Sequence, residues 1–497
     1  HDPVQPDGRT RISLNHHPRK LPMLDPATPL ETAFRRVSPR LNPKRATPLG
    51  AGVFITAAIF WIVAIVAAFR GEGLLAFAVG VISIAYDFLQ LSFVAVQARK
   101  LFKKTAPSVA PPPLTLTVIV AAYNEALALP ATLDRLIAQT SPADQILIAD
   151  DGSKDDTAAV MAARYGLATS DLGDHATNGC LSLLRLPHRG KARTLNAALE
   201  RTFGEIVVTV DADTLLDPDA LAEIRSAFAD PALIVGGGVL EPRCRGGIVS
   251  RVLQTFQRYE YVRNFLGRFA WSEFDSLLLI SGAFAAFRTS AVREVGGFDP
   301  ASLTEDYELI HRLHRTARDA GRDAKVRIIG AAFATTDAPA SVPAFLRQRR
   351  RWFAGFLQTQ YWNRDMIGAP RYGALGMAML PVKSLDTAQP FYGLAGFILL
   401  VVFGLTGRWE AFLPATGATV AKIAIDLVNT VYGLEAHRRW TGGRAPRRRW
   451  LGIVCILVEP FTFQPLRYLG AARGWASLLA GDLSWGRQSR MAAAPSE

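Results

Sequence analysis

At 497 residues the chain has room for one large catalytic domain and a second unit, and its mean hydropathy of +0.16 points to a membrane. The net charge of +13 does not call for nucleic acid, because the basic residues cluster beside apolar runs, as cytoplasmic loops facing anionic lipid do. Cys180, Cys244 and Cys455 lack paired spacing, which argues against a disulfide framework and against a zinc site.

Residues 1–50 are rich in Pro and Arg without apolar periodicity and are expected to form a disordered basic leader. The first apolar run starts near residue 51, too late for a signal peptide. Gly52 to Phe69 and Leu74 to Ala98 then read as a transmembrane hairpin over residues 51–98, interrupted by Asp87. The basic cluster of Arg99, Lys100, Lys103 and Lys104 follows it, which places the next segment in the cytoplasm. Ala110-Pro111-Pro112-Pro113 is the linker into that segment.

Within residues 114–365 short apolar runs alternate with helical patterns. Leu116 to Ala121, Gln145 to Ala149, Leu181 to Leu186 and Glu205 to Val210 are predicted strands, separated by helices near 126–139, 155–165, 191–203 and 218–229. Such alternation predicts a parallel α/β sheet with ligands outside the carboxyl ends of its strands. Beyond it, residues 371–390 carry two prolines and read as an interfacial segment. Residues 391–434 form a second expected transmembrane hairpin, followed by a basic loop at 437–450. Residues 451–483 are broken by Glu459, Pro460 and Pro465, so they either span or re-enter, and 484–497 form the tail.

Several motifs fall where ligands are expected. Tyr123 closes the first strand and offers a ring face for a base, while Glu125 can accept a ribose hydroxyl; a capped turn would use the same residues. Asp150-Asp151-Gly152-Ser153 closes the second strand and suits a helix N-cap, or a carboxylate accepting the imide N–H of uracil. Asp211-Ala212-Asp213 follows a buried strand, and two acids so close repel unless a cation or hydrogen-bond donors are near. Oxygen ligands of this kind suit Mg²⁺ or Mn²⁺ bridging to phosphates. Lys191, in His188-Arg189-Gly190-Lys191, could neutralise a diphosphate. Thr304-Glu305-Asp306 suits either a capped helix start or a general base at Asp306. Gln348 to Trp352 lies on a helix heading towards the membrane, and Trp352 provides a platform for a sugar ring.

In order and spacing these motifs resemble the membrane-integrated family 2 glycosyltransferases with a GT-A fold: the cellulose, chitin, hyaluronan and poly-N-acetylglucosamine synthases. The resemblance implies an α/β GT-A cytoplasmic domain joined to an α-helical transmembrane domain, in a multi-pass protein of the bacterial inner membrane. It implies that Tyr123, Glu125 and Asp151 hold uridine and that Lys191 meets the diphosphate. Asp211 and Asp213 match the DxD metal motif, with Asp213 favoured as direct ligand and Asp211 also on the donor. Asp306 matches the presumed base, and Gln348, Arg351 and Trp352 match the QxxRW motif of chain-extending enzymes. Gly282, in Ser281-Gly282-Ala283-Phe284, matches the segment shaping the acceptor site. Ser484-Trp485-Gly486 with Arg487 and Arg490 is similar to a C-terminal Trp-Gly motif near the site in some synthases.

The expected activity is processive, inverting polymerisation of a β-linked polysaccharide from a UDP-sugar, UDP-GlcNAc or UDP-glucose, with the product passed through the membrane. Its partners would be the donor, the growing chain, the bilayer and an accessory export protein, with no nucleic acid. The competing reading moves one sugar to a polyprenyl phosphate or glycan acceptor, and QxxRW with two hairpins argues against it. A non-catalytic membrane partner would have no need of both Asp213 and Asp306. A transporter would leave the soluble domain unexplained.

Overall fold

A computed structural model describes residues 28–70, 73–103, 113–444 and 449–481. Residues 1–27, the linker residues 110–112, part of the basic loop at 445–448 and the Ser484-Trp485-Gly486 motif lie outside the described residues.

Three helices come first: α1 (Pro29–Val37), α2 (Pro48–Arg70) and α3 (Gly73–Ala98). The catalytic domain opens with β1 (Leu116–Ala122), α4 (Leu129–Ile137), β2 (Gln145–Asp150), α5 (Thr157–Tyr165), β3 (His175–Asn178) and β4 (Leu181–Arg185). It continues through α6 (Lys191–Glu200), β5 (Ile206–Asp211), β6 (Thr214–Leu216), α7 (Ala220–Ala227), β7 (Leu233–Arg243) and α8 (Ile248–Ser272). Then come β8 (Phe284–Arg288), α9 (Thr289–Glu294), α10 (Glu305–Asp319), β9 (Lys325–Asp337) and α11 (Val342–Trp362). The chain ends in α12 (Leu380–Leu405), α13 (Trp409–Trp440), α14 (Arg449–Val458) and α15 (Phe463–Leu479).

β1 and β5 are continuous apolar runs because helices cover both faces of the sheet, so nearly every side chain in them is buried. The described strands form one sheet in the order β3-β4-β2-β1-β5-β8-β7-β9-β6. The four predicted strands are β1, β2, β4 and β5, and these pair in parallel. The sheet as a whole is mixed rather than parallel. β8 runs antiparallel to β5 and β7, and β3 and β6 are antiparallel edge strands. The expectation rested on the first half alone, where helices alternate with strands. In the second half, β7 feeds the long helix α8 and returns as β8, which reverses direction.

The architecture is thus a mixed α/β domain plus a helical region. In that region, segments Leu375–Leu405 and Trp409–Trp440 are long and apolar enough to cross a membrane. Ile55 and Ile59 of α2, Phe88 and Leu89 of α3, Val401 and Leu405 of α12, and Val420 and Val428 of α13 are among the large apolar side chains left exposed. Lys422 Nζ meets Asp426 Oδ2 at 2.7 Å and Asp87 Oδ2 at 3.6 Å, and Gln389 donates to Asp87 at 3.3 Å. Asp87, Lys422 and Asp426, ionisable groups within apolar helices, therefore meet through the shared Lys422 ammonium, as desolvated charges must.

Two stretches differ from expectation, and a third takes a course that the sequence leaves open. Residues 29–37, placed in the disordered leader, form an amphipathic helix that buries Leu30 and Phe34 on the catalytic domain. Within the expected interfacial segment 371–390, helix α12 begins at Leu380 and continues through Pro390. Pro381 follows the π-helical turn Leu375–Met379 that leads into α12, and Pro390 lies inside the helix. Residues 451–483 break at Glu459-Pro460, after which α15 lies along α11. That contact is a close backbone approach: a Cβ on Gly470 would sit 2.5 Å from Arg349 Cβ, and one on Gly474 would sit 2.7 Å from Phe353 Cβ.

Candidate active site

The parallel register brings the motifs together. Ala122 pairs with Asp150, Ala121 with Asp211, and Asp150 with Arg185, so the carboxyl ends of β1, β2, β4 and β5 form one edge. The loops after β1 and β2 are tied to each other there. Asn124 adopts a left-handed φ of 56°, donates its N–H to Ser153 Oγ at 2.8 Å and accepts from Lys154 N–H at 2.8 Å. Beside it the exposed Tyr123 ring stacks on His188, with centroids 4.2 Å apart and planes at 20°. Glu125 is buried, and its N–H donates to Thr157 Oγ1 at 3.0 Å.

Asp151 is also buried, and its carboxylate organises the loop before α6. It accepts from Arg189 N–H at 2.9 Å, Gly190 N–H at 3.0 Å and Thr194 Oγ1 at 2.8 Å, with His188 Nδ1 at 2.8 Å. A carboxylate has about four lone-pair sites, so a uracil N–H would have to displace one of these donors. In this geometry Asp151 therefore fixes the loop that carries His188 and Lys191. Neighbouring Asp150 accepts Ser153 N–H at 2.9 Å, and its buried Oδ2 has Arg185 Nε at 3.5 Å.

Lys191 opens α6 and joins two motifs, with Nζ 2.6 Å from Asp211 Oδ1 and 3.5 Å from Glu305 Oε1. Burial opposes its charge, but Asp211 and Glu305 outweigh that and hold the ammonium protonated. Burial pushes the Asp213 carboxyl up to about 7, with Asp211 and Asp337 adding to the shift. Burial raises Glu305 as well, and Asp306 reinforces this against Lys191 and Arg351. The cluster thus concentrates carboxylates around one ammonium.

Asp306, in the first turn of α10, is aimed at the same strand ends. Its Oδ2 accepts Gly282 N–H at 2.8 Å and its Oδ1 accepts Tyr307 N–H at 2.8 Å. Gly282 lies beside β5, where Thr209 Oγ1 donates to its carbonyl at 3.4 Å. A Cβ there would stand 3.4 Å from Asp306 Oδ2, in ordinary van der Waals contact with the carboxylate. Thr304 makes no side-chain cap to α10, contrary to the capped-helix alternative. It is buried against Gly355 of α11 instead.

α11 places its motif beside this loop. Arg351 donates to Leu303 O at 3.2 Å, and Gln348 Oε1 is a buried acceptor without a hydrogen-bond donor among the described residues. Trp352 is half-buried, with the Arg349 guanidinium 4.4 Å from its ring centroid. Arg349 is held by Glu260 Oε2 at 2.6 Å, and Glu260 also takes Arg467 of α15 at 3.1 Å. The indole is therefore fixed through a buried charge network reaching into the C-terminal helices.

Among the described residues no three His, Cys, Asp or Glu side chains form a metal cage. Asp211 and Asp213 nonetheless fit a divalent cation. Mg²⁺ binds through one or two carboxylates with phosphates and waters completing the shell, and the raised Asp213 pKa marks a carboxylate pair that a cation would relieve. Sequence reasoning passed over three residues in this arrangement. Glu305 contacts Lys191, His188 stacks on Tyr123, and Asp337 lies close enough to disfavour ionised Asp213. The first two lay inside motifs already singled out. Asp337 ends β9, and an acid at a strand end was its available signal.

The chain also resembles known proteins. Residues 117–296 match the family model for glycosyl transferase family 2. The poly-beta-1,6-N-acetyl-D-glucosamine synthase of Staphylococcus epidermidis is 29% identical over 244 residues, covering 48% of this chain and 54% of that protein. The synthase of the same name from Staphylococcus aureus (strain COL) is 29% identical over 243 residues, covering 48% of this chain and 54% of its own. The chain thus spans about half the length of the curated relatives it matches. A solved mannosyltransferase, PcManGT from Pyrobaculum calidifontis in complex with GDP-Man and Mn²⁺, is similar at 21% identity with a TM-score of 0.49. That likeness covers 80% of this chain and 98% of the mannosyltransferase. Residues 117–296 of the chain are thus similar to glycosyl transferase family 2.

Proposed function

We propose that the protein is a membrane-embedded, inverting and processive glycosyltransferase that builds a β-linked polysaccharide from a UDP-sugar at the cytoplasmic face. The observation that carries this reading is the convergence of Lys191, Asp211 and Asp306 at one set of strand ends, with the Gln348–Trp352 helix bonded to the loop before Asp306. Similarity to the staphylococcal synthases supports polymerisation, and the exposed apolar faces of α2, α3, α12 and α13 support a bilayer.

In this reading Tyr123 offers its ring to the base while Asp151 holds the loop over the diphosphate. Lys191 turns from Asp211 towards the departing UDP, whose charge is the main electrostatic demand of the reaction. Asp306 accepts the proton of the acceptor hydroxyl, which attacks the anomeric carbon opposite UDP and inverts it. Gly282 N–H holds the Asp306 carboxylate in place. Mg²⁺ or Mn²⁺, held by Asp211 and Asp213, would neutralise diphosphate charge. Trp352 supports the terminal sugar, and Gln348 Oε1 supplies an acceptor for one of its hydroxyls.

The test is to incubate detergent-purified protein with UDP-GlcNAc and with UDP-glucose, and to size the product. A polymer without added lipid acceptor is the expected result. A single sugar on added polyprenyl phosphate, whatever the donor excess, would replace polymerisation with lipid-carrier transfer and leave the donor site as described.

A further inference from the structure

Residues 28–47, ahead of α2, are not a passive leader, because they are strapped to the loop that delivers Asp306. α1 is built to dock. Thr28 Oγ1 accepts Glu31 N–H at 3.3 Å to cap its start. Asn42 Nδ2 donates to Arg35 O at 2.8 Å and Ser38 O at 3.2 Å to close its end. Its apolar face carries Leu30 and Phe34 onto the Gly296-Gly297 turn. Gly296 has φ +81°, and a Cβ there would lie 2.2 Å from Phe34 N and 2.5 Å from Leu30 O. The turn and the helix backbone touch directly, which glycine alone permits.

Immediately after this helix, Arg40 makes a two-pronged pair with Asp299. Nε meets Oδ2 at 2.8 Å and Nη2 meets Oδ1 at 2.9 Å. Asp299 is fully buried, whereas Arg40 keeps 30% of its side chain exposed. The guanidinium also lies 5.6 Å from the Phe34 ring and 5.9 Å from Trp362 of α11. A second latch follows, where Thr47 Oγ1 donates to Ile367 O at 2.6 Å.

Asp299 lies seven residues before Asp306 and starts the run that leads to it. Its Oδ1 accepts Ala301 N–H at 2.9 Å and its carbonyl accepts Ser302 N–H at 3.1 Å. From the far side Gln358 Oε1 accepts Leu303 N–H at 3.0 Å and Arg351 donates to Leu303 O. Beneath the loop Arg312 pairs with Glu308 at 2.6 Å and donates to Gly297 O at 2.7 Å, with its guanidinium 4.8 Å from Phe34. The run is thus gripped by α11, by α10 and by the N-terminal strap, and only the last grip comes from outside the catalytic domain.

We propose that Arg40 is a positioning residue for Asp306: its pair with Asp299 sets the loop so that the Asp306 carboxylate stays on Gly282 N–H. This rests on Asp306 acting as the base. Removing Arg40 leaves Asp299 buried without that partner, and the loop must shift to hydrate it. A displacement of about 1 Å at a reacting group can cost about a hundredfold in rate.

The test uses the full chain in detergent, with UDP release from UDP-GlcNAc for turnover and UDP itself as the binding probe. Arg40→Ala should lower turnover at saturating donor about tenfold to a hundredfold, while donor KM and UDP affinity change less than about twofold. Arg40→Lys keeps the charge but not the two-pronged geometry and should fall between wild type and Arg40→Ala. It also serves if the alanine variant does not fold. In an Asp306→Asn background the Arg40→Ala loss should nearly vanish, because both changes act through one carboxylate. Full turnover in Arg40→Ala, an unchanged fold-loss in the Asp306→Asn background, or an effect confined to donor KM would each overturn the proposal. Asp306→Asn with full turnover would overturn the base assignment instead.

Discussion

Replacing Asp306 by Asn tests the centre of the mechanism, and the geometry gives both of its consequences a size. Each carboxylate oxygen accepts a backbone N–H, from Gly282 and from Tyr307, both at 2.8 Å. Asn turns one oxygen into an NH₂ group, so one N–H must face a donor, a loss of about 1–3 kcal/mol in stability. The proton-accepting role is worth about a hundredfold to ten-thousandfold in rate, or about 3–5 kcal/mol in barrier. The variant should therefore unfold at a modestly lower temperature yet stay folded under assay conditions, with turnover down at least about a hundredfold. UDP affinity should barely change, because Tyr123, Asp151 and Lys191 lie on other loops. The assay pairs UDP release from UDP-GlcNAc with calorimetric UDP binding and a melting curve on the same preparation. If Asp306→Asn lost UDP binding but kept catalysis per bound donor, Asp306 would be a donor ligand and the base would lie elsewhere.

The remaining expectations concern the metal, the acceptor platform and acid stability. Activity should require Mg²⁺ or Mn²⁺, and Asp213→Ala should abolish it with the melting temperature preserved; full turnover in EDTA would remove the metal assignment. Trp352→Ala should shorten or abolish the polymer while UDP binding survives, and product of unchanged length would take the indole out of acceptor binding. Burial holds His311 down to about 3 and His314 down to about 4, each with one ring nitrogen on a backbone carbonyl. Because these folded-state values lie below the ordinary 6.5, the unfolded chain takes up protons first as pH falls. Stability is then full above pH 6.5 and declines below it, by up to about 1.4 kcal/mol per pH unit for each histidine. A melting temperature constant between pH 7.5 and 5 would contradict the burial of two neutral imidazoles.

Local chemistry by itself determined the strand ends and the acids upon them. Runs such as Ile206 to Val210 could only be buried strands, and an aspartate pair after one had to meet a cation or a donor. Helix spacing and the Gln348–Trp352 motif were legible for the same reason, since periodicity and short-range spacing are properties of neighbouring residues. Tertiary structure decided which of these residues meet. The parallel register aligned Asp150 with Asp211 across β1, and Lys191 found Glu305 from 114 positions away in the chain. It also decided what Asp151 does, because the donors that occupy its carboxylate come from a loop some 40 residues downstream. The reversal at β8 and the course of α12 through Pro390 were settled by packing partners outside any local window. The clearest case is the N-terminal strap: nine amphipathic residues, too short to hold a helix alone, are docked because Gly296 and Asp299, some 260 residues later, supply the surface and the charge that hold them.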